Sequence, residues 1–272
     1  MHILTLIVCL PAILAAQDPR EIVRRSLEID KNNAEIARNY TYLQRQEVRE
    51  LDGSGKVKKT GIHTWDVTLL EGSGYRRLVA HNDQPLSPKE QKKEEDRLRQ
   101  SAEQRRKETA EQRQRRIADS ERSEERQREF LKEVPDAFDF RLIGEEALPS
   151  GQVYTIEAMP KSGYKPKLRS AFFLAKVKGR IWVDKNDFHW AKIEMEILDT
   201  ISLAGFLVRL AKGGHMIVEQ ARVNQEVWLP KSVTVRAKAR FALIAAVRAE
   251  FILTFSDYKK FQVDSRVLST EQ

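Results

Sequence analysis

The stretch from 233 to 255 constrains the fold most, because every odd position in it is apolar. The even positions include arginine, lysine, glutamate and threonine. A period of two puts one set of side chains on each face of a β-sheet. The apolar set is rich in alanine at its centre and carries Phe and Leu toward its ends. The pattern predicts strands that wall a hollow which the protein's own side chains leave partly unfilled, as in barrels that hold a ligand.

Seven residues of this face are the candidate cavity-lining, ligand-binding residues, and we call them the apolar wall: Val235, Ala237, Ala239, Phe241, Ala245, Val247 and Phe251. An acyl chain entering between a covering helix and the sheet is expected to lie against them. Such binding is driven by burial of apolar surface and needs no catalytic residue.

The first sixteen residues predict a secretory signal peptide. Residues 1–16 carry an apolar run that ends in Ala15 and Ala16, before polar residues, and the run is too short to span a bilayer. Export from the cytoplasm is therefore expected. Cys9 is the only cysteine and lies inside this segment, so the mature chain, 17–272, is expected to have no thiol chemistry and no disulfide. We expect 17–272 to form a single domain.

A helix is predicted to follow, up to about Arg38. Asp18 is an N-cap residue, Pro19 occupies the first helical position, and Glu21 is placed to close a capping box. Apolar residues favour one side, so we expect this helix to cover the sheet. Plain core packing and a gating role both remain open for it.

Strands are predicted on either side of a charged segment, by alternation and by the Gly-rich turns between them. About ten or eleven strands are predicted. They are Tyr40 to Val48, 57–70, 75–80, 138–143, 152–158, a hairpin over 179–196, 215–222, 226–239 with a bulge or edge at Pro230, the alternating stretch that continues to Phe255, and a candidate last strand within 262–268. Residues 203–210 fit either a short helix or a strand. The sequence therefore predicts an α+β protein with a strongly curved, half-open antiparallel barrel.

Residues 87–134 form a charged helical excursion that interrupts this domain. It begins with a capping box at Ser87 and Glu90, and acid-first pairs four residues apart, such as Glu111 with Arg115 and Glu124 with Arg128, support a helix. One long helix, or two joined near Asp119, is expected. Its basic and acidic residues nearly cancel, which argues against nucleic acid as a partner. A solvated excursion and a docking arm for a protein partner remain the alternatives.

The strand sequences GRIWVDKNDFHWAKIEMEIL, VNQEVWLPKSVTVRA and FSDYKKF, behind a signal peptide and a helix, resemble the outer-membrane lipoprotein-sorting and carrier superfamily of bacterial envelope proteins. The resemblance implies a half-open antiparallel barrel covered by helices, whose apolar hollow takes acyl chains or lipids. It covers most of the mature chain except the charged excursion.

No enzyme class, metal or cofactor is supported by the sequence. His63, His81, His189 and His215 have no ligand spacing. Asp184 and Asp187 are expected to bond to local backbone in a hairpin turn. A hydrolase would require His189 or His215 beside a carboxylate in a cleft.

The sequence thus predicts a non-enzymatic periplasmic carrier that binds a lipid, an acyl chain or a lipoprotein. The alternative is a structural or sensory envelope protein that uses the charged helix to dock a partner. The formal net charge of +8 favours anionic lipid headgroups or a membrane surface as a contact, although solubility alone also accounts for it.

Overall fold

The computed structural model describes residues 18–203, 208–241 and 245–261. The predicted signal peptide and the predicted last strand within 262–268 lie outside these residues. The helices are α1 (Pro19–Ala37), α2 (Pro88–Arg106), α3 (Ala110–Arg128) and α4 (Val134–Ala137), with 3₁₀ turns at Glu129–Glu133, Arg169–Ala171 and Leu174–Lys176. The strands are β1 (Tyr40–Leu51), β2 (Val57–Leu70), β3 (Ser73–His81), β4 (Gln84–Pro85), β5 (Phe138–Leu148), β6 (Gly151–Pro160), β7 (Val177–Asp184), β8 (Trp190–Ile197), β9 (Ile201–Leu203), β10 (Val208–Leu210), β11 (His215–Val223), β12 (Val227–Phe241) and β13 (Ala245–Lys260).

One antiparallel sheet contains all of these strands, in the order β4-β3-β2-β1-β13-β12-β11-β8-β7-β6-β5, with β10 and β9 branching from β12. In the described residues the end strands β4 and β5 are not paired with each other, so the sheet is open. It is also strongly curved, because side chains from β1 and from β5 reach the same cavity. The predicted α+β class with an open, curved antiparallel sheet is confirmed.

The longer observed strands coincide with predicted ones, since period-two alternation and Gly-rich turns mark both. The described residues nevertheless contain thirteen strands where ten or eleven were expected, and the two-residue strand β4 was not predicted. Residues 203–210, which fitted helix or strand, contain the end of β9 and all of β10. The bulge expected near Pro230 is present: Pro230 pairs with Gln220, and the register of β11 and β12 shifts between Glu219 and Gln220. Proline has no N–H to donate to the ladder, so a break in register is the usual place for it.

The charged excursion is two helices, but they join ten residues earlier than predicted. The break falls between Arg106 and Ala110 because Thr109 caps α3: its hydroxyl accepts from the Gln112 amide, and the Gln112 side chain accepts from the Thr109 amide. The expected joint near Asp119 is therefore wrong, and Asp119 lies inside α3. The capping box at Ser87 and Glu90 is confirmed. At α1, Asp18 accepts from the Arg20 amide, while Glu21 binds Arg24 instead of closing a box.

The excursion folds back against the edge of the sheet. Arg105 donates to the carbonyl of Leu70 at 2.7 Å, Arg116 donates to the carbonyl of Glu71 at 2.9 Å, and Glu94 accepts from the Leu78 amide at 3.2 Å. These bonds satisfy backbone groups of β3, of the end of β2 and of the turn between them. In the described residues the short edge strand β4 pairs with β3 only at Ala80 and His81, so the rest of this edge would otherwise be open to pairing with another chain. Helices α2 and α3 are thus hydrogen-bonded to the sheet.

A chain of ion pairs crosses the outer, convex face of the sheet. Glu47 binds Arg45 at 2.8 Å and Arg49 at 2.5 Å, and Glu250 binds Arg49 at 3.1 Å and Arg236 at 2.7 Å. The Arg45 guanidinium holds the pKa of Glu47 below its ordinary value of 4.5, and Arg49 adds to this effect against the opposing effect of burial. The network links β1, β13 and β12 on the face opposite the covering helices.

Glu47→Gln is expected to destabilise the protein by about 1 kcal/mol at pH 7, since solvent screens the partly exposed arginines. A lowered pKa gives stability that is complete above the ordinary value of 4.5 and is lost as the pH falls below it. Urea unfolding between pH 7 and pH 3 should therefore show the wild type and the variant converging at acid pH.

Glu50→Gln is the matched control, because Glu50 lies on the same strand but on the opposite face and makes no ion pair within the described residues. We expect it to change stability by less than about 0.5 kcal/mol. A pH-independent difference at Glu47 would contradict the assigned role of its charge.

Candidate functional site

A cavity of about 640 Å³ lies between the concave side of the sheet and a helical cover. The cover is formed by α1, α3, α4 and the 3₁₀ turn at Glu129–Glu133, and the sheet contributes side chains from β1 and from β13 across to β5. Ligand pockets of small molecules have volumes in this range. The predicted hollow under a covering helix is therefore present.

The floor of the cavity is apolar. It consists of side chains that point inward from neighbouring strands, among them Ala158, Ile181, Ile193, Met216 and Val218. Gly179 also lines it, and a Cβ at this position would approach the carbonyl oxygen of Glu194 to 2.9 Å. A side chain at Gly179 is thus excluded by backbone. The two methionines nearby, Met195 and Met216, are flexible side chains that can adapt to occupants of different shape.

The roof of the cavity combines apolar and charged residues. Val23, Leu27 and Ala34 face it from α1, and Phe130 and Leu131 face it from the 3₁₀ turn. The charged helix α3 contributes Glu124, Gln127 and Arg128 at one side. The charged segment, for which the sequence left a solvated excursion and a docking arm as alternatives, therefore closes part of the site.

Asp30 on α1 joins the cover to the sheet. Its carboxylate is buried; one oxygen accepts from the Trp190 indole of β8 at 3.0 Å, and the other accepts from Arg128 of α3 at 2.8 Å. One turn further along α1, the Asn33 side chain binds both the amide and the carbonyl of Trp228 on β12, at 2.8 and 2.7 Å. These bonds fix the height of α1 above the sheet.

Arg38 extends the same connection to α3. It pairs with Glu124 at 3.1 Å and with Glu121 at 3.5 Å. Glu124 and Arg128, four residues apart, were expected to pair with each other within α3. Instead both bind α1, which explains how a helix without a buried apolar face is held on the protein.

Glu133 anchors the other end of the cover. Its buried carboxylate accepts from the Tyr164 hydroxyl and from the Lys167 amide, the latter at 2.9 Å, and also from the Leu168 amide. Burial raises the pKa of Glu133, but these hydrogen bonds more than offset it, so the pKa lies below its ordinary value. The loop that leads to Phe173 and Leu174, which line the cavity, is thereby held against the cover.

His189 is beside a carboxylate, as the hydrolase alternative required, but it has no access to a substrate. Its Nε2 lies 3.9 Å from Asp30 and hydrogen-bonds Gln220 at 2.7 Å, and the side chain is 1% exposed. The ring stacks on Trp228 with centroids 5.2 Å apart. Burial lowers the pKa of His189, so the ring is neutral at pH 7. His215 lies on the outer face, opposite Arg236.

The turn carboxylates bond locally, as expected, and one of them does more. Asp184 accepts from the amides of Asn186 and Asp187, and Asp187 accepts from the His189 amide. Asp187 also accepts from the Trp228 indole at 2.8 Å and binds Arg222. The turn therefore helps to place Trp228, which lines the cavity.

The apolar wall lies on β12 and β13, next to the cavity but not in its lining. Val235 pairs with Phe251, Ala239 with Val247, and Phe241 with Ala245. The five wall residues whose side chains the structure describes (235, 237, 239, 247 and 251) are partly exposed and do not line the cavity. Val235 is directly opposite Met216, which does line it. Cross-strand partners share a face, so the wall continues the cavity floor beyond the cover.

The sequence contained a signal for the residues that were missed. Ser26, Asp30 and Asn33 recur at i, i+4 and i+7 on the same side of α1 as Val23, Leu27 and Ala34. Polar groups at core-facing positions need partners. This spacing marks a helix that is bonded to its neighbours as well as packed on them.

Within the described residues, no group of three or more His, Cys, Asp or Glu side chains is arranged to hold a metal ion. None of their helices is both long and apolar enough to cross a bilayer.

The chain is similar to solved structures of low sequence identity. One is an outer membrane lipoprotein-sorting protein domain from Vibrio parahaemolyticus, with 11% identity, a TM-score of 0.33, and coverage of 87% of this chain and 92% of that one. A LolA superfamily protein from Nitrosomonas europaea has 10% identity, a TM-score of 0.31, and coverage of 89% and 92%. A DUF1329 family protein from Desulfovibrio piger has 11% identity, a TM-score of 0.31, and coverage of 89% and 93%.

No protein-family model matches the chain, and no curated protein sequence does.

Asp30→Asn is expected to destabilise the protein by about 2 kcal/mol, because it removes a charge-assisted hydrogen bond to Arg128 and turns an amide donor toward that guanidinium. Urea unfolding measures the loss, and near-ultraviolet circular dichroism reports the environment of Trp190.

Asp136→Asn is the matched control. Asp136 also pairs with an arginine of α1, Arg20 at 2.7 Å, but its side chain is 55% exposed. An exposed pair contributes little, so a change below about 0.5 kcal/mol is expected. Equal effects of the two substitutions would show that burial gives Asp30 no special role.

Proposed function

We propose that the protein binds a lipid or a lipid-linked acyl chain in the cavity between the helical cover and the sheet, and carries it reversibly. The cavity of about 640 Å³ with an apolar floor is the observation that supports this most directly. A pocket lined by alanine, valine, isoleucine and methionine recognises its occupant by apolar area, and it does so without catalysis.

The energetics suit reversible capture. An acyl chain of about fourteen carbons gains on the order of 10 kcal/mol, at roughly 0.8 kcal/mol per buried methylene, before the costs of association are subtracted. The net affinity then permits both loading and release.

The apolar wall is the second part of the proposed site. Met216 in the cavity and Val235 on the wall are directly opposite each other, so a chain that fills the cavity can continue along Val235, Ala237 and Ala239 without leaving an apolar surface. A long or a second acyl chain would use this extension. The periplasm is the proposed place of action, given the apolar segment at residues 1–16.

The rival proposal, a structural or sensory envelope protein, requires a barrel filled by its own side chains and a charged helix free to dock a partner. The unfilled cavity counts against the first requirement. The second is weakened because Arg38 and Asp30 of α1 already bind α3.

Lipid extracted from the purified native protein should be detectable by mass spectrometry, and Val218→Trp should reduce it. An indole at position 218 occupies space above the cavity floor that the ligand would otherwise fill. The affinity for a fluorescent fatty acid should therefore fall at least tenfold, which corresponds to the loss of burial of about two methylene groups.

Ile217→Trp is the control, because the neighbouring residue carries the same bulk on the same strand but points to the outer face. We expect its affinity to stay within about twofold of wild type. A native protein that is empty and indifferent to fatty acid would remove the carrier proposal.

Val247→Trp tests the wall separately from the cavity. A bulky ring in the middle of the wall obstructs only the part of a ligand that extends beyond the cover, so it should weaken binding of long or two-chain lipids several-fold and leave a short fatty acid unaffected. Titration with chains of increasing length measures this. If the affinity depends on acyl-chain length in the same way in the wild type and the variant, the ligand lies within the cavity and does not extend along the wall.

A further inference from the structure

Four cations share the outer face at the far end of the β12–β13 hairpin. Arg209 of β10 is directly opposite Arg240 of β12, and Lys238 of β12 is directly opposite Arg248 of β13. All four residues are exposed, and we call them the basic face. Like charges placed directly opposite each other destabilise a sheet, so the fold alone gives no reason to put them there.

Carboxylates do not compensate this charge. Within the described residues, none of the four cations has a carboxylate oxygen within 4.0 Å, and Arg248 donates instead to the carbonyl of Gly53 at 2.8 Å. The next acidic residue along β13, Glu250, is already bound by Arg49 and Arg236. Glu50 alternates with Arg49 and so lies on the other face. The basic face therefore presents an uncompensated positive potential.

The reverse side of the same strands is apolar and extends past the helical cover. Ala237, Ala239, Val247 and Ala249 alternate with the cations and are only partly buried. Helix α1 is bonded to β12 at Trp228, near the opposite end of that strand. This end of the sheet thus combines cations that have no carboxylate partner in the described part of the chain with an apolar surface that belongs to the proposed lipid site.

We propose that the basic face docks the protein on an anionic lipid bilayer. Charge complementarity identifies the partner: cations on a structured surface near an anionic membrane each strengthen binding by about fivefold, and salt screens the attraction. A bilayer also fits the apolar reverse side, since it supplies both phosphate headgroups and acyl chains to the same end of the sheet. Docking is independent of cargo and goes beyond the proposed carrier function.

The test is flotation of the full chain, stripped of lipid, with vesicles of phosphatidylcholine alone or with about a third phosphatidylglycerol, at low and high salt. The variant carries glutamine at all four positions (R209Q, K238Q, R240Q, R248Q). We expect the wild-type protein to bind the anionic vesicles but not the neutral ones, and high salt to weaken this binding. In the variant, binding to the anionic vesicles should fall about tenfold or more. Thermal stability should not fall, because the like-charge pairs are relieved.

The control removes the same charge elsewhere. Lys89, Lys92, Lys93 and Lys107 are exposed at the ends and outer side of α2 and form no ion pair within the described residues. The variant with glutamine at these four positions should lose no more than about threefold in binding to anionic vesicles. This comparison distinguishes an effect of the basic face from an effect of the net charge of the protein. Fatty-acid uptake in solution should be unchanged in both variants. The vesicle experiment therefore tests the docking proposal, and the uptake experiment tests the carrier proposal, independently of each other.

Three results would overturn the proposal. They are wild-type protein that does not bind anionic vesicles, equal losses in the two variants, and binding to neutral vesicles that salt does not weaken. Equally strong retention on immobilised polyglutamate, lost in the same variant, would instead identify an acidic protein surface as the partner.

Discussion

The cavity depends on polar bonds that hold the helical cover at a fixed height above the sheet. Apolar side chains on facing elements collapse until they are closely packed, and a helix such as α1 would be expected to settle on the floor. Asp30 and Asn33 bind Trp190 and the backbone of Trp228 instead, and Glu133 fastens the far end to the loop at Tyr164. Buried polar groups must keep these partners. The space beneath is consequently retained.

Much of the sheet follows from local sequence. Alternation and Gly-rich turns are short-range signals, and they located β1, β2, β3 and the strands from β5 to β13 that are longer than a few residues. Strands β9 and β10 have three residues each, which is too short for a period of two to be distinguished from a helical turn. The break between α2 and α3 was also encoded, in the capping box at Thr109 and Gln112, but the run of charges drew the prediction to Asp119.

The extent of the site could not be read from the strands themselves. Alternation identifies which side chains share a face, so Val235 and Phe251 belong to the concave side as predicted, yet it does not reveal where the cover ends. That boundary is set by long-range bonds such as Arg128 to Asp30, 98 positions apart in the chain. Charged residues of α3 are typical of a solvated helix by composition. The helix becomes part of the cover of the cavity because Glu124 and Arg128 bind residues that are distant in the sequence.

Period-two alternation also allows one pair of strands to form two different surfaces, one on each face of the sheet. On β12 and β13 the inward positions form an apolar wall, while the outward positions carry arginine and lysine. Toward the covered end, Glu47 and Glu250 neutralise the outward arginines. Toward the other end of these strands, the outward positions carry the cations of the basic face and no acidic residue. Because neighbouring residues point to opposite faces, the charge of the outer surface can vary without altering the wall, and the wall can change in width without altering the charge. Two separate surface properties are thus encoded at alternate positions of a single stretch of sequence.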